Sequence, residues 1–452
     1  MLPDIVRSIF PQPLRPEAGT RTNRFLLRNL VLHFRPTSVP RQTLRFSLTW
    51  GLGGMAATLI LLQLASGVLL KFAYVPTPVA AYGSIQAIIA DMPFGRLIRN
   101  LHHWCAHLLV AVAVLHMLRV FFTGAFHPPR QFNWVVGLVM AATVLLANFT
   151  GYLLPWDQLA YWAVTVSTGM LEYLPIVGAR LLAAICEGSE IGPATLQVFF
   201  ALHTAVIPVG LAGLMAFHFW RVRKAGGLVV PRPADTAADR SDDKADRVAT
   251  VPHLLLRELV TALVLIAAVL LISLWIDAPL ADPANPGLSP NPTRAPWYFA
   301  GMQELLLHFH PLVAVCLMPL LAAGTLLAIP YLRYDADTRG VWFASRIGRK
   351  IGLLAAVVGL TLTPLLILVR ENVVAASGLA DRLSPMVVDG IAPTVLLMAL
   401  LGLFYGLIRK QFLANRNEAV QALFVLLLTA YGVLTVTGVW FRGEGMALVL
   451  PW

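Results

Sequence analysis

Nine continuous apolar runs dominate the chain, at about 46–70, 101–118, 133–154, 196–220, 259–276, 312–332, 352–369, 391–408 and 419–441. Each is close to the length of about 20 residues that a helix needs to cross a hydrocarbon core. In that solvent an unpaired backbone amide finds no water, so only helices and closed barrels can span it. Barrel strands run for about ten residues and alternate apolar with polar side chains, a pattern absent from these runs. Composition agrees: 58% of residues are hydrophobic and 13% charged, where a soluble domain carries about 25% charged residues. The expected fold class is an all-α membrane protein, a polytopic helical bundle of about nine spans.

Charge then orients the bundle. The segments 1–45, 119–131, 221–258, 333–350 and 409–418 hold 26 Lys/Arg against 11 Asp/Glu, and the rest of the chain 8 against 12. Basic loops stay on the cytoplasmic side. The expectation is a multi-pass protein of the cell's inner (cytoplasmic) membrane, with its N-terminus cytoplasmic and its C-terminus outside. The net charge of +11 thus reports contact with membrane lipid, and nucleic acid is not an expected partner. The first residues, basic and Pro-rich, lack the apolar core of a cleaved signal peptide and are expected to form a retained cytoplasmic arm, 1–45. The expected domains that follow are a four-span unit, 46–224, a cytoplasmic linker, 225–252, and a five-span unit, 253–452. The linker is rich in Ala, Asp, Arg and Pro without an apolar period, a composition that favours mobility. Two short surface helices are expected outside, at Leu159–Met170 and Pro175–Ala184, and an amphipathic one at Trp297–Leu307.

Ionisable side chains inside a span are costly and mark function. His102 and His116 stand fourteen positions apart in the second span, His203 and His218 fifteen apart in the fourth. On an α-helix the first step, about 14 residues, returns to within about 40° of the starting direction, the second to within about 60°, and both cover about 21 Å. Two such helices face to face would form two stacked imidazole pairs, one near each membrane surface. A flat macrocycle gripped by imidazole from both sides is axial haem ligation, which leaves no site for O2 and suits electron transfer. The bundle is therefore expected to contain a four-helix di-haem core. His103 to His116 lies about 140° off, so His102 is the better partner; His107 reads as a packing histidine. Gly53 and Gly67 in the first span, and Gly137 and Gly151 in the third, repeat the spacing of His102 and His116. Missing side chains there would admit a flat ring, although small-residue helix packing gives the same pattern. Arg99 and Arg119 each lie three positions from an expected ligand, placed to pair haem propionates or to snorkel to the interface. Cys105, Cys186 and Cys316 stand far apart, and no CxxCH exists for covalent haem attachment.

The stretches GRLIRNLHHWCAHLLVAVAVLHMLRVFFTGAF, GYLLPWDQLAYWAV and LHTAVIPVGLAGLMAFHFWRVRK resemble the cytochrome b of quinol-oxidising bc and b6f complexes. The likeness is close over about 40–230 and looser over 255–332; the C-terminal half is similar to the b6f complex's subunit IV. It implies two non-covalent b haems, the outer held by His102 and His203 and the inner by His116 and His218. It also implies an outer quinol-oxidation site, made by 155–195 and the loop before the sixth span, and an inner quinone site. The implied partners are a quinone substrate, a Rieske iron–sulfur protein and a c-type cytochrome, in a dimeric complex.

Three departures qualify the resemblance. Gly51 stands where b6f-type proteins carry the cysteine of an extra haem, so that haem is not expected. The family's PEWY motif reads Ala295-Pro296-Trp297-Tyr298 here, with Pro296 in place of the proton-accepting Glu. Two spans, 352–369 and 391–408, are additions to the b6f pattern. Tyr298 remains to hydrogen-bond quinol, and Glu304 is the expected substitute proton acceptor. Arg223 and Lys224 are candidates for the inner quinone site. The function expected is that of a cytochrome b subunit of a quinol:cytochrome c type oxidoreductase. The missing Glu supports an alternative, a two-haem anchor and electron wire serving a peripheral dehydrogenase or reductase.

Overall fold

The structure, a computed structural model, describes residues 38–186, 190–231, 246–335, 338–378 and 382–450. Most of the expected arm, and 232–245 of the expected linker, lie outside the described residues. Among those described, nine helices are long and apolar enough to cross a membrane. The elements are β1 (Ser38–Pro40), α1 (Leu52–Lys71), α2 (Ala81–Ala90), α3 (Gly95–Phe122), α4 (Gln131–Tyr152), α5 (Gln158–Gly169) and α6 (Gly178–Cys186). There follow α7 (Pro193–Lys224), β2 (Arg247–Ala249), α8 (Thr250–Trp275), α9 (Trp297–His308) and α10 (Leu312–Tyr331). The last are α11 (Arg346–Ser377), α12 (Met386–Gln411) and α13 (Arg416–Trp440). The spanning helices are α1, α3, α4, α7, α8 and α10 to α13, one for each apolar run. The end that carries the basic segments is here called inner, the other outer.

Boundaries follow from local chemistry. The first span begins at Leu52, later than the apolar run, because Trp50 (φ 54°) and Gly51 (φ 66°) turn left-handed and separate it from a single turn, Phe46–Thr49. A Cβ on Gly51 would also come within 2.9 Å of Thr261 Cγ2, so α8 can approach α1 only because that Cβ is missing. The Asp157 side chain accepts from Ala160 N at the start of α5, Ser345 does the same for Gly348 in α11, and Asn415 with Glu418 closes a reciprocal cap on α13. The end of the linker is structured, a departure from the sequence expectation. β2 pairs antiparallel with β1, Val39 opposite Val248. Val39 and Leu44 bury against Leu254, giving this charged stretch an apolar anchor.

In the N-terminal half α1 packs on α3 and α4 on α7, and α8 covers α3 and α1. A buried cluster including Leu59, Cys105, Leu109, Val144, Leu211 and Val269 fills the mid-membrane level between these five helices. In the C-terminal half α13 packs along α11 and against α9. An inner cluster that includes Phe121, Ile351, Ile408 and Ala422 joins the halves.

Helix α7 is not uniform. Leu202–Val206 forms a π turn, followed by Pro208, which has no N–H to continue the ladder. A π turn accommodates one extra residue within a helix. The stretch from His203 to His218 passes through it, so their longer spacing acts as the shorter one of α3. The angular divergence expected from residue counting is absorbed.

Candidate functional site

The four histidines meet as two pairs. The His102 and His203 ring centres lie 6.1 Å apart with planes at 77°, and those of His116 and His218 lie 6.5 Å apart at 74°. His103 does not face His203; its ring lies 4.5 Å from that of His107. His107 accepts a hydrogen bond from Trp297 Nε1 at 2.8 Å.

Glycines back all four rings. An ideal Cβ would approach His102 Cε1 to 3.1 Å from Gly67, His116 Cε1 to 3.3 Å from Gly53, His218 Cε1 to 3.7 Å from Gly137 and His203 Cε1 to 2.5 Å from Gly151. α1 therefore lies against the α3 histidines and α4 against the α7 histidines, and the glycines admit the imidazoles themselves.

Hydrogen bonds orient the outer pair. His203 Nδ1 lies 2.9 Å from the Ala147 carbonyl, which can only accept, so Nδ1 carries the proton. Ser66 Oγ donates to the Leu62 carbonyl at 2.7 Å and is 2.9 Å from His102 Nδ1, so it accepts from that ring. Both outer histidines thus keep Nε2 as the unprotonated nitrogen. In the inner pair, His116 Nδ1 and His218 Nδ1 are buried without a hydrogen bond, although the His218 ring lies beside the Asn133 backbone carbonyl.

Two imidazoles bound to one metal from opposite sides, at about 2 Å per bond, put their ring centres about 6 Å apart. Both pairs fit that separation. Among the described residues no group of three or more His, Cys, Asp or Glu could hold a bare metal ion. A bare ion asks for about four protein donors, whereas haem brings its own in-plane nitrogens and needs only axial ligands. The residues present fit haem.

The two arginines differ. Arg99 is buried, and its two terminal nitrogens donate to the Ala278 and Pro279 carbonyls at 2.7 Å each. Arg119 is equally buried; its Nε donates to the Leu48 carbonyl at 2.8 Å, and its Nη2 has no partner. Arg119 thus retains a donor for an anion, and Arg99 serves the turn after α8. Arg223 and Lys224 end α7 on the inner side, with Lys224 over the Trp220 ring at 5.9 Å.

The structure joins the two outer segments. Asp157 accepts from Ala281 N at 3.0 Å, and Gln158 bonds the backbone of Asn285 at 2.6 Å. Nearby, Arg96 and Asn100 hydrogen-bond Asp277 and hold its carboxyl down at about 2. On α9, the Tyr298 ring centre is 6.3 Å from that of His107, and burial pushes its phenol pKa up. Tyr298 is a hydrogen-bond donor at neutral pH and no base.

Glu304 does not join Tyr298. Six positions on, it lies about 240° round the helix, fully buried and ion-paired with Arg442 beyond α13. Arg442 Nε reaches its two oxygens at 3.2 and 3.0 Å, and His308 Nε2 donates to it at 3.0 Å. Burial alone would raise its pKa; the bonds from His308 and Arg442 outweigh burial and hold it below the ordinary glutamate value. In this geometry both oxygens of Glu304, the residue expected to stand in for the missing carboxylate, are engaged by Arg442. Sequence reasoning passed over Arg442 and Ser66: Arg442 comes together with Glu304 only in the folded chain, whereas Ser66 adjoins a glycine of the spaced repeat.

Fold and site together define a class, membrane bundles whose facing helices present opposed imidazoles of the kind that grip haem. The Cytochrome b/b6/petB family model matches residues 39–226. Cytochrome b6 of Oltmannsiellopsis viridis is 44% identical over 175 residues, 39% of this chain and 81% of that protein. Cytochrome b6 of Synechococcus elongatus (strain ATCC 33912 / PCC 7942 / FACHB-805) is 43% identical over 175 residues, with the same coverage of 39% and 81%. The chain belongs to the cytochrome b/b6 family. A solved structure titled "Hyperthermophilic respiratory Complex III" shares its fold, with a TM-score of 0.63 at 20% identity over 93% of this chain and 95% of that one.

Proposed function

We propose that this chain is the two-haem cytochrome b subunit of a quinol-oxidising bc-type complex. The observation that carries the proposal is the pair of imidazole couples, 6.1 and 6.5 Å between ring centres, stacked within one four-helix core. His102 and His203 hold the outer haem and His116 and His218 the inner one. Bound there, haem would supply one-electron transfer.

The chain's own residues do the rest. Gly53, Gly67, Gly137 and Gly151 let the imidazoles seat against α1 and α4. Arg119 offers its unpartnered Nη2 to a propionate. Tyr298 donates a hydrogen bond to a quinol oxygen at the outer site framed by α5, α6 and α9, and Arg223 and Lys224 attract a reduced quinone at the inner end. The partners are a quinone, a Rieske iron–sulfur protein and a c-type cytochrome, in a dimeric assembly of the inner membrane with a cytoplasmic N-terminus.

The test is a pyridine haemochrome assay on purified protein with separate redox titration of the bands. Two non-covalent low-spin haems are expected, the outer lost in His102→Ala and His203→Ala and the inner in His116→Ala and His218→Ala. One haem, or haem retained on denaturing gels, contradicts the proposal. Pro296 at the start of α9, with Glu304 committed to Arg442, favours a second reading: a two-haem wire for a peripheral dehydrogenase or reductase. Quinol-driven reduction of the outer haem that requires a co-purifying Rieske protein supports the first reading, and its absence the second.

A further inference from the structure

The glycine repeat carries an asymmetry. Ser66 precedes Gly67 and Thr150 precedes Gly151 at the outer pair; Leu52 precedes Gly53 and Val136 precedes Gly137 at the inner pair. Each glycine lies against a histidine Cε1, so the residue before it is one step round the helix from that ring. At the outer level both such residues carry hydroxyls: Ser66 Oγ is 2.9 Å from His102 Nδ1, and Thr150 Oγ1 is 3.5 Å from His203 Nδ1. At the inner level both are aliphatic: His116 Nδ1 has no hydrogen bond, and the His218 ring has only the Asn133 backbone carbonyl beside it.

From this we infer that Ser66 is a positioning residue that sets the electron affinity of the outer haem through His102, and that the inner haem lacks its counterpart. The inference rests on the two-haem reading above. An imidazole that donates from Nδ1 becomes a more basic ligand at Nε2, and a more basic ligand favours ferric over ferrous iron, because the ferric state carries the greater positive charge. The geometry around Ser66 suits this role. Its proton goes to the Leu62 carbonyl at 2.7 Å, which leaves its oxygen as an acceptor turned to His102. The side chain is 2% exposed, so bulk water does not compete for the bond. On the opposite side, His203 uses the Ala147 carbonyl, which no side-chain substitution removes. Ser66 is therefore the adjustable half of the outer pair's support, and no side-chain hydroxyl takes its place at the inner pair.

The experiment is a redox titration of purified holoprotein, following the haem α-bands, on the parent and on Ser66→Ala, Ser66→Thr and Leu52→Ser. A haemochrome count accompanies each variant. Ser66→Ala should raise the outer midpoint and leave the inner one in place, Ser66→Thr should keep the parent value, and Leu52→Ser should lower the inner midpoint. An unshifted outer midpoint in a Ser66→Ala protein that still binds two low-spin haems overturns the inference while the two-haem reading stands. A Thr variant that shifts as far as the Ala variant also overturns it. If Ser66→Ala loses the outer haem, Leu52→Ser decides: an unshifted inner midpoint overturns the inference. A parent protein with fewer than two haems removes both.

Discussion

Glu304 and Arg442 form an ion pair in which neither side chain is more than 1% exposed. Arg442 also reaches Glu371, at the outer end of α11, at 2.9 Å. One guanidinium therefore ties α9, which carries Tyr298, to a helix of the added pair. Breaking a buried pair from one side costs about 3–5 kcal/mol, because the remaining charge stays desolvated. Glu304→Gln leaves Arg442 with Glu371, so a loss near the low end is expected, about 3 kcal/mol. Arg442→Gln, which strands two carboxylates, should cost more. Thermal loss of the haem Soret band in detergent checks both. A Glu304→Gln protein of parent stability that no longer takes electrons from quinol would return Glu304 to the role of proton acceptor.

The same pair has a pH signature. Glu304 is held below its ordinary value, so the folded state binds its proton less readily than the unfolded chain. The stabilisation is complete above the unfolded glutamate pKa of about 4.3 and is lost as pH falls through the lower folded value. The difference in thermal midpoint between the parent and Glu304→Gln should be constant above about pH 5 and shrink only in stronger acid. A difference that already falls between about pH 7 and 5 would assign the titration to another group.

The glycines give a graded series. A Cβ at Gly151 would stand 2.5 Å from His203 Cε1 and 2.9 Å from Nδ1, whereas one at Gly137 would stand 3.7 Å from His218 Cε1. The first forces an imidazole out of place; the second is an ordinary contact. Gly151→Ala should strip most of the outer haem, Gly67→Ala at 3.1 Å and Gly53→Ala at 3.3 Å should loosen theirs, and Gly137→Ala should retain both. Haem-to-protein ratios across the four variants check the order, and equal retention in all of them would reduce the repeat to helix packing.

Much of this was legible in the sequence for physical reasons. Span length and histidine spacing are one-dimensional signals. The nine spanning helices among the described residues and the His102 and His116 register could therefore be read from the helical rise of about 1.5 Å and turn of about 100° per residue. The register of His203 and His218 was only partly legible, because the π turn at Leu202–Val206 shifts it and residue counting assumes a regular α-helix. The surroundings of Glu304 were hidden for a different cause. A carboxylate beside two histidines looks available until Arg442, 138 positions away, closes on it. Ordering at β2 was hidden because its anchoring partner, Val39, lies far upstream, before the first span.

Arg99 and Arg119 hold similar sequence places but should respond differently to loss. The two terminal nitrogens of Arg99 satisfy the carbonyls of Ala278 and Pro279, and a buried acceptor left unpaired costs about 1–3 kcal/mol. Arg99→Gln is therefore expected to lower the thermal midpoint and loosen the turn after α8, with both haem midpoints nearly unchanged. Arg119 gives one bond to the Leu48 carbonyl and keeps Nη2 buried without a partner, a desolvated cation at the inner end of α3. A cation there favours the reduced state of a nearby redox centre by direct Coulomb attraction, strongly so where water is excluded. Arg119→Gln should then lower the inner midpoint and weaken inner haem retention, and leave the outer band unmoved. Parallel redox titrations of the two variants separate these outcomes. If Arg119→Gln changes only thermal stability, its guanidinium serves the Leu48 carbonyl alone, and the inner propionate is met by another cation.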